Sequence, residues 1–460
     1  MATTDAAIAA NRFGFGALPG ELKALGQQAR DGLLAQLQGS APLLPGSLPA
    51  SKELLAQIMA QRQQLPEKRG QQPTANEAVK AVREIYQPAY VGDVMARFRA
   101  AVASQRSFVE RLVHFWSNHF AVSVDKRQVL GLAGAMEREA IRPHVFGSFA
   151  DMLLAVEQHP AMLMYLDNQQ SIGPNAQAAQ VAGRRGRDVG LNENLGREIL
   201  ELHTLGVDGQ YTQADVRSLA TLITGWSIGG EAERLRGGEP GAFFFREAFH
   251  EPGPGVLLGK RYAAGGLDQG TSALRDLAIN PHTARHVATK LVRHFIADEP
   301  PAAAVDAIAA AYIRSGGDLP TTYRALVNAP DAWKNPLAKF KTPVDYVYSS
   351  WRALGMQLGA QPQRELRVFE DLGQRVFQPG SPAGWADSSA DWDGSAALMK
   401  RLEWAQGIGQ RLGVQKNAQQ LAGEMLGATL TAGTERAVAR AQDGAQALTL
   451  LLCSPEFMRR

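Results

Sequence analysis

Along most of the chain apolar residues recur every three or four positions, and strict alternation is rare. That spacing matches the 3.6-residue turn of an amphipathic helix, so the pattern predicts a predominantly α, multi-helix globular fold with long loops. Helices are predicted at 19–38, 74–103, 105–121, 133–142, 148–158, 191–206 and 212–226. Further ones follow at 269–279, 283–297, 302–315, 319–329, 343–356, 394–412, 416–431 and 442–453. The helix from 212 has a well-marked start. Thr212 and Asp215 form a capping-box-like pair, and Val216, Leu219, Ala220, Ile223 and Trp226 supply one apolar face.

The predicted 191–206 helix carries the most informative position. Leu191, Leu195, Glu198, Leu202 and Leu205 follow the 4-3-4-3 spacing of one stripe, which puts a carboxylate in the middle of a leucine seam. Burying an unpaired carboxylate is costly, so Glu198 is expected to be neutralised, hydrogen-bonded, paired with a cation or bound to a metal.

Three regions interrupt the helical period. Residues 168–192, rich in Gln, Asn, Gly and Ala, form a long loop of the lid type that runs directly into the Glu198 helix. Between 229 and 262, Phe243-Phe244-Phe245 and Val256-Leu257-Leu258 flank a His-Glu-Pro-Gly-Pro-Gly turn, which predicts a small β-hairpin near 243–262. Residues 374–393 form a Pro/Gly/aromatic loop, and 40–73 a proline-rich connection. No fixed-period repeat appears. The expected organisation is an N-terminal helical lobe over 1–100 and a main helical domain over 101–460 that holds the candidate site.

Composition narrows the class without naming a substrate. The chain has 460 residues, 45% hydrophobic and 20% charged, with 48 basic and 45 acidic residues for a net charge of +3. A balance that even gives no argument for nucleic acid or a membrane surface. No run of apolar residues is long enough to span a bilayer, and the N-terminus lacks the charge-then-apolar order of a signal peptide, so a soluble, cytoplasmic protein is expected. The single cysteine, Cys453, excludes an intrachain disulfide and reads as a small buried apolar residue.

Candidate chemistry is sparse. His114 and His119 are five apart on one predicted helix, which separates them by roughly 140° and prevents both from joining one site. His119 falls on the apolar side and His114 toward the polar one, so His119 is the candidate, against the plainer reading of a core histidine bonded to a carbonyl. Glu201, three residues after Glu198, can reach the same cation or proton. Arg197 pairs at helical spacing with Glu193 and Glu201 and can clamp a carboxylate or anion. His250, on a turn between predicted strands, can offer its ring to a cavity, although a plain surface histidine fits that position too. His203 faces away from Glu198 at five-residue spacing, and His294 reads as core packing. There is no H-E-x-x-H, G-x-S-x-G, Walker loop or dinucleotide fingerprint.

Several segments in order resemble a bacterial family known as domain of unknown function 1800. They include Asn11-Arg12-Phe13-Gly14-Phe15-Gly16, Phe115-Trp116-Ser117-Asn118-His119-Phe120 and Pro160 to Asn168. Asn192-Glu193-Asn194 to Val207, Tyr211 to Trp226, Phe249-His250 and Leu258-Gly259 continue the series. The Lys290-Leu291 helix, Phe340-Lys341-Thr342-Pro343, Gly384-Trp385 and Ser454 to Phe457 complete it. The resemblance implies a helical protein, with relatives that are often exported and a second, sulfatase-like uncharacterised family as a partner; it transfers no catalytic residues. This chain departs from it in lacking an export signal and in carrying Glu251 where relatives have a shorter acidic residue.

Two functional expectations follow. The first is an enzyme whose pocket gathers Glu198, Glu201, His119, His250 and Arg197 and acts on a small molecule or polymer. It would work either as a hydrolase with a divalent metal held by His119, Glu198 and His250, or by metal-free acid/base chemistry. The alternative is a non-catalytic helical binding or assembly protein in which Glu198 is locked in a structural ion pair.

Overall fold

The Thr212 start predicted from sequence forms as a reciprocal cap: Thr212 Oγ1 accepts from the Asp215 amide at 3.2 Å while Asp215 Oδ2 accepts from the Thr212 amide at 2.9 Å. The helix behind it, Gln213–Leu222, buries Val216, Leu219, Ala220 and Leu222 on the anticipated face. Asn280 and Thr342 cap Pro281–Phe295 and Pro343–Leu354 one way, accepting from the His282 and Asp345 amides, each with proline in the first turn where a missing N–H is harmless. The computed structural model in which these helices are seen describes residues 3–44, 47–64, 75–186, 189–230, 237–359 and 362–460. Helices dominate it, and its strands are confined to two small antiparallel pairs.

The Ser107–His119 helix runs through the centre. Eleven of its residues are buried, including both charged members of the Glu110-Arg111 pair. Trp116 is fully enclosed, and its indole N–H donates to the Tyr323 hydroxyl at 2.6 Å. Phe108 packs with Phe13 and Phe295. His114, expected on a polar face, is buried instead against Phe15 and Tyr348. The Asn11–Gly16 turn and the Pro343–Leu354 helix cover that side, and no helical period can announce such tertiary cover. Residue 100, where a lobe boundary was expected, falls inside the Ala75–Ala103 helix. Buried apolar side chains on both sides of it belong to one cluster running from Ile8 to Met458.

The strands refine the hairpin expectation. Trp226–Ile228 (β1) pairs with Phe243–Phe245 (β2), with Trp226 opposite Phe245. The hairpin inside 243–262 is made by Gly255–Leu257 (β3) and Lys260–Tyr262 (β4), with Leu257 opposite Lys260. The phenylalanine run therefore pairs backwards along the chain rather than with Val256-Leu257-Leu258. Its side chains are only half-buried, and Phe243 meets the buried Trp226 ring edge-on.

Other differences have local causes. The 19–38 helix divides into Glu21–Leu25 and Ala29–Gln36 because Gly26 turns the chain at φ +47°. Within 40–73 the described part contains a further helix, Ser51–Gln64, held at its start by Glu139, which accepts from Ser51 N and Oγ. The 168–192 segment is not a bare loop: it includes Gln177–Arg184 and is clasped by Glu251, whose carboxylate accepts from Asn175 N and Nδ2. Arg187, part of its basic cluster, lies outside the described residues. Cys453 is only partly buried, and burial pushes its thiol up to about 11. Among the described residues, no helix is long and apolar enough to cross a membrane.

Two buried ionic groups brace the core. Arg97 and Arg142 both meet Glu137, and Arg142 also meets Glu110. Arg111 and Arg460 close on opposite oxygens of Asp345, each at 2.9 Å.

Candidate functional site

The Glu198 segment begins with side-chain scaffolding. Asn192 Oδ1 accepts from the Asn194 amide at 2.9 Å, and its Nδ2 donates to the Leu166 carbonyl at 3.2 Å. One asparagine thus starts the helix and ties it to the turn at Asp167, which adopts φ +57°. Regular helix covers only Asn194–Glu198; a π-turn, Ile199–His203, follows directly. The wider turn re-phases the seam. Ile199, Leu200 and His203 become the buried side, and Glu198 is half-buried at the junction rather than sealed in a leucine stripe.

No hydrogen bond or ion pair engages the Glu198 carboxyl among the described residues. Burial raises its pKa above the ordinary value; His203 and Arg197 oppose that, and Glu201 and Glu157 add to it. Arg197 is committed elsewhere, to Glu201 at 3.3 Å, Glu193 at 3.5 Å and Gln213 at 2.9 Å. These pairs are the predicted surface ladder, at about 0.2–0.5 kcal/mol each. Tyr211 reaches Glu201, and burial together with that carboxylate raises the Tyr211 hydroxyl. The Tyr165 hydroxyl is raised too, by burial and then by the Glu198 carboxylate. The face so formed comprises two carboxyls, two phenols and one guanidinium.

Behind it lies a buried group of histidines. His203 is fully enclosed, and its Nδ1 meets Glu157 at 2.7 Å. His119 Nε2 donates to the His203 carbonyl at 3.1 Å, and His286 Nε2 to the Leu202 carbonyl at 3.0 Å. Burial holds His119 well below its ordinary pKa and His286 at about 4, so both are neutral at pH 7. The π-turn is therefore held from below by imidazoles that grip its carbonyls. His119 contributes to the site as a support of that turn. His203, which the regular spacing turned away, comes to the buried side next to it, and only the extra residue of the π-turn explains that change.

His250 belongs to a different neighbourhood. Its Nδ1 lies 2.9 Å from the Thr224 carbonyl and its Nε2 3.0 Å from Gln269 Oε1, which leaves no ring nitrogen for another ligand. The structure thus brings Glu198, Glu201 and Arg197 together, links His119 to them through backbone, and places His250 apart. Among the described residues, no set of three or more His, Cys, Asp or Glu side chains is disposed to hold a metal ion.

A second place assembles chemistry that the sequence left scattered. His294 Nδ1 lies 2.9 and 3.0 Å from the two oxygens of Asp387, whose pKa falls well below the ordinary range because His294 and Lys339 outweigh its burial. Both residues line a cavity of about 90 Å³. Phe15, Asn118, Thr342 and Trp385 also face it, and each comes from a segment that carries the resemblance described above. Asn118 fixes the wall by accepting from the Trp385 amide at 2.8 Å and donating to its carbonyl at 2.9 Å. Gly384 makes this possible. Its φ of +84° is left-handed, and a Cβ there would collide with the Asn118 carbonyl oxygen. Gly384→Ala is expected to cost about 1–3 kcal/mol and to detach the 384–387 loop, measured by urea unfolding and by loss of Trp385 burial; an unchanged midpoint would discard this account of the wall.

The family described as "Protein of unknown function (DUF1800)" matches residues 8–459 of the chain. No curated protein and no solved structure matches it.

Proposed function

The chain belongs to the DUF1800 family, and from that premise we propose that it is an acid/base enzyme whose working face is Glu198, Glu201, Arg197 and Tyr211. One observation carries the reading: the Glu198 carboxyl is half-buried, raised in pKa and without a hydrogen-bonded or ionic partner among the described residues. A carboxyl left in that condition, raised by burial and held by no partner, is suited to give and take a proton. The raised value keeps it protonated to a higher pH than an ordinary glutamate, so it acts first as a general acid and then, ionised, as a base. Arg197 and the Tyr211 hydroxyl both engage Glu201 and so hold the second carboxylate beside it. His119 and His203 hold the π-turn beneath it.

The metal-assisted version of this chemistry has less support. Its expected ligand His250 has both nitrogens engaged and lies apart from Glu198, and no group of three His, Cys, Asp or Glu side chains among the described residues is disposed to hold a metal ion. The structural ion-pair alternative also lacks its partner, since Arg197 meets Glu193 and Glu201 instead. Substrate turnover by hydrolysis of a small molecule or polymer remains the reaction class proposed.

A panel of ester, amide, glycoside and phosphoester substrates, run with wild type and Glu198→Gln, tests this. We expect any true activity to fall by about 10²–10⁴-fold in the variant, with a melting temperature equal to or above wild type. The stability expectation follows from sign: a carboxyl whose folded pKa exceeds its unfolded one stabilises only at low pH, and that contribution fades as pH rises through the folded value. Equal turnover by Glu198→Gln, or a large drop in its melting temperature, would overturn the proposal.

A further inference from the structure

The His294–Asp387 cavity takes no part in the chemistry proposed for Glu198, and its walls show what it suits. Asp387 accepts from His294 Nδ1 through both carboxylate oxygens, which leaves Nε2 as the lone-pair nitrogen facing inward. The neighbour of that nitrogen is Arg111 Nη1, at 3.5 Å, too long for a hydrogen bond between them to be strong. The rest of the guanidinium is fixed: Nε donates to the Gly14 carbonyl at 2.9 Å and Nη2 meets Asp345 at 2.9 Å. A proton acceptor and a half-used cationic donor therefore stand side by side on the wall of a cavity. A dyad of this kind is a recurrent way of holding an imidazole in one tautomer for proton transfer.

Size and charge then select the ligand. The cavity, at about 90 Å³, is smaller than the roughly 150 Å³ of a cavity that takes up benzene, so it suits a ligand of a few heavy atoms. Asp345 is balanced by Arg111 and Arg460, and Asp387 draws on Lys339, whose Nζ donates to the Asp387 carbonyl and to Asp298. The groups around His294 are Arg111 and His114 from the central helix, Asp345, Arg460 and Asp387. Burial lowers the pKa of the imidazole although Asp387 opposes it, so enclosure disfavours the protonated ring. An incoming anion removes that penalty by forming an ion pair with the protonated ring.

We propose that this cavity is a binding site for a small carboxylate, seated between Arg111 Nη1 and His294 Nε2, with His294 taking up a proton as the ligand enters. The balance is simple: one proton comes from solvent or from the carboxylic acid and forms the Nε2–H bond, and on release the same proton returns to solvent or departs on the carboxylic acid, which restores the lone pair. Affinity therefore rises as pH falls toward the ligand's own pKa. The 384–387 loop, pinned by Asn118, forms the outer wall, with the exposed Ala386 on its rim.

Sodium acetate is the probe, with sodium chloride at equal ionic strength as the control. Saturation transfer to the acetate methyl and the ring signals of ¹⁵N-histidine-labelled full-length protein are read at pH 6 and pH 8. The expected result is saturable binding, at least about tenfold tighter at pH 6, with a His294 Nε2 signal that moves from the lone-pair to the protonated range. His294→Gln and, independently, the rim variant Ala386→Trp should each abolish the saturation transfer. Chloride producing the same shift, acetate binding that survives both variants, or no acetate binding at either pH would overturn the proposal.

Discussion

Asp345→Asn is expected to lower the stability of the protein by about 3–5 kcal/mol, because it leaves two enclosed guanidinium groups facing a neutral amide. Arg111 and Arg460 are each about 1% exposed or less, and both close on the Asp345 carboxylate. Their attraction holds Asp345 at about 2 although burial alone would raise it. The sign of the pH dependence follows. A carboxylate with a folded pKa below its unfolded value of about 3.9 contributes stability above that value and loses it as pH falls toward 2. Wild type should therefore weaken between pH 4 and pH 2 more steeply than the variant, while at pH 7 the variant is the weaker. Urea unfolding at pH 7 and pH 3 checks both. A loss under 1 kcal/mol at pH 7 would mean that water or a rearranged partner replaces the carboxylate.

Lys341→Met should have the opposite effect. Lys341 is 1% exposed; its Nζ donates to Ser349 Oγ at 3.1 Å and lies 4.1 Å from the centre of the Phe457 ring. Burial lowers its pKa to about 7, with Asp345 opposing and Arg111, Arg460 and Arg401 assisting. Below pH 7 the lysine is charged in both states and the fold bears the whole cost of enclosing it. Between pH 7 and about 10 the unfolded chain keeps a proton that the folded one has released, so stability rises with pH. Methionine removes the charge at similar length, and Ser349 keeps its own bond to the Tyr346 carbonyl. We expect a gain of the order of 3 kcal/mol at pH 7 and a flat profile from pH 7 to 10. A variant less stable than wild type at pH 7 would show that the ammonium contacts outweigh its desolvation.

The helical architecture was legible because burial follows a period. Thr212, Asp215 and the apolar face behind them could be read directly, as could the Glu193–Arg197–Glu201 ladder, since both depend on neighbours within one or two turns. Glu198 stood out in the sequence as a carboxylate within a leucine stripe, whereas the structure leaves it half-buried at the end of a short helix. A π-turn shifts every later side chain by one position and leaves no mark on an apolar pattern. His203 and Leu202 changed sides for that reason. His114 was misplaced, and the Asp387 partner of the packed His294 was missed, by another kind of effect: what covers or meets them comes from far along the chain. Asp387 is 93 residues from His294, in a loop with no period, so no local spacing could have joined them. The resemblance segments held a usable signal, since four of them meet at that cavity.

The same remoteness bears on how the protein acquires its form. The cavity needs Phe15, Arg111, Asn118, His294, Thr342 and Trp385, drawn from nearly the full span of the chain. Contacts so distant in sequence carry the greatest loop-closure entropy and are completed late, after local helices have nucleated and docked. During refolding, far-ultraviolet ellipticity should therefore recover before acetate uptake does, with the arrival of the 384–387 loop as the last event.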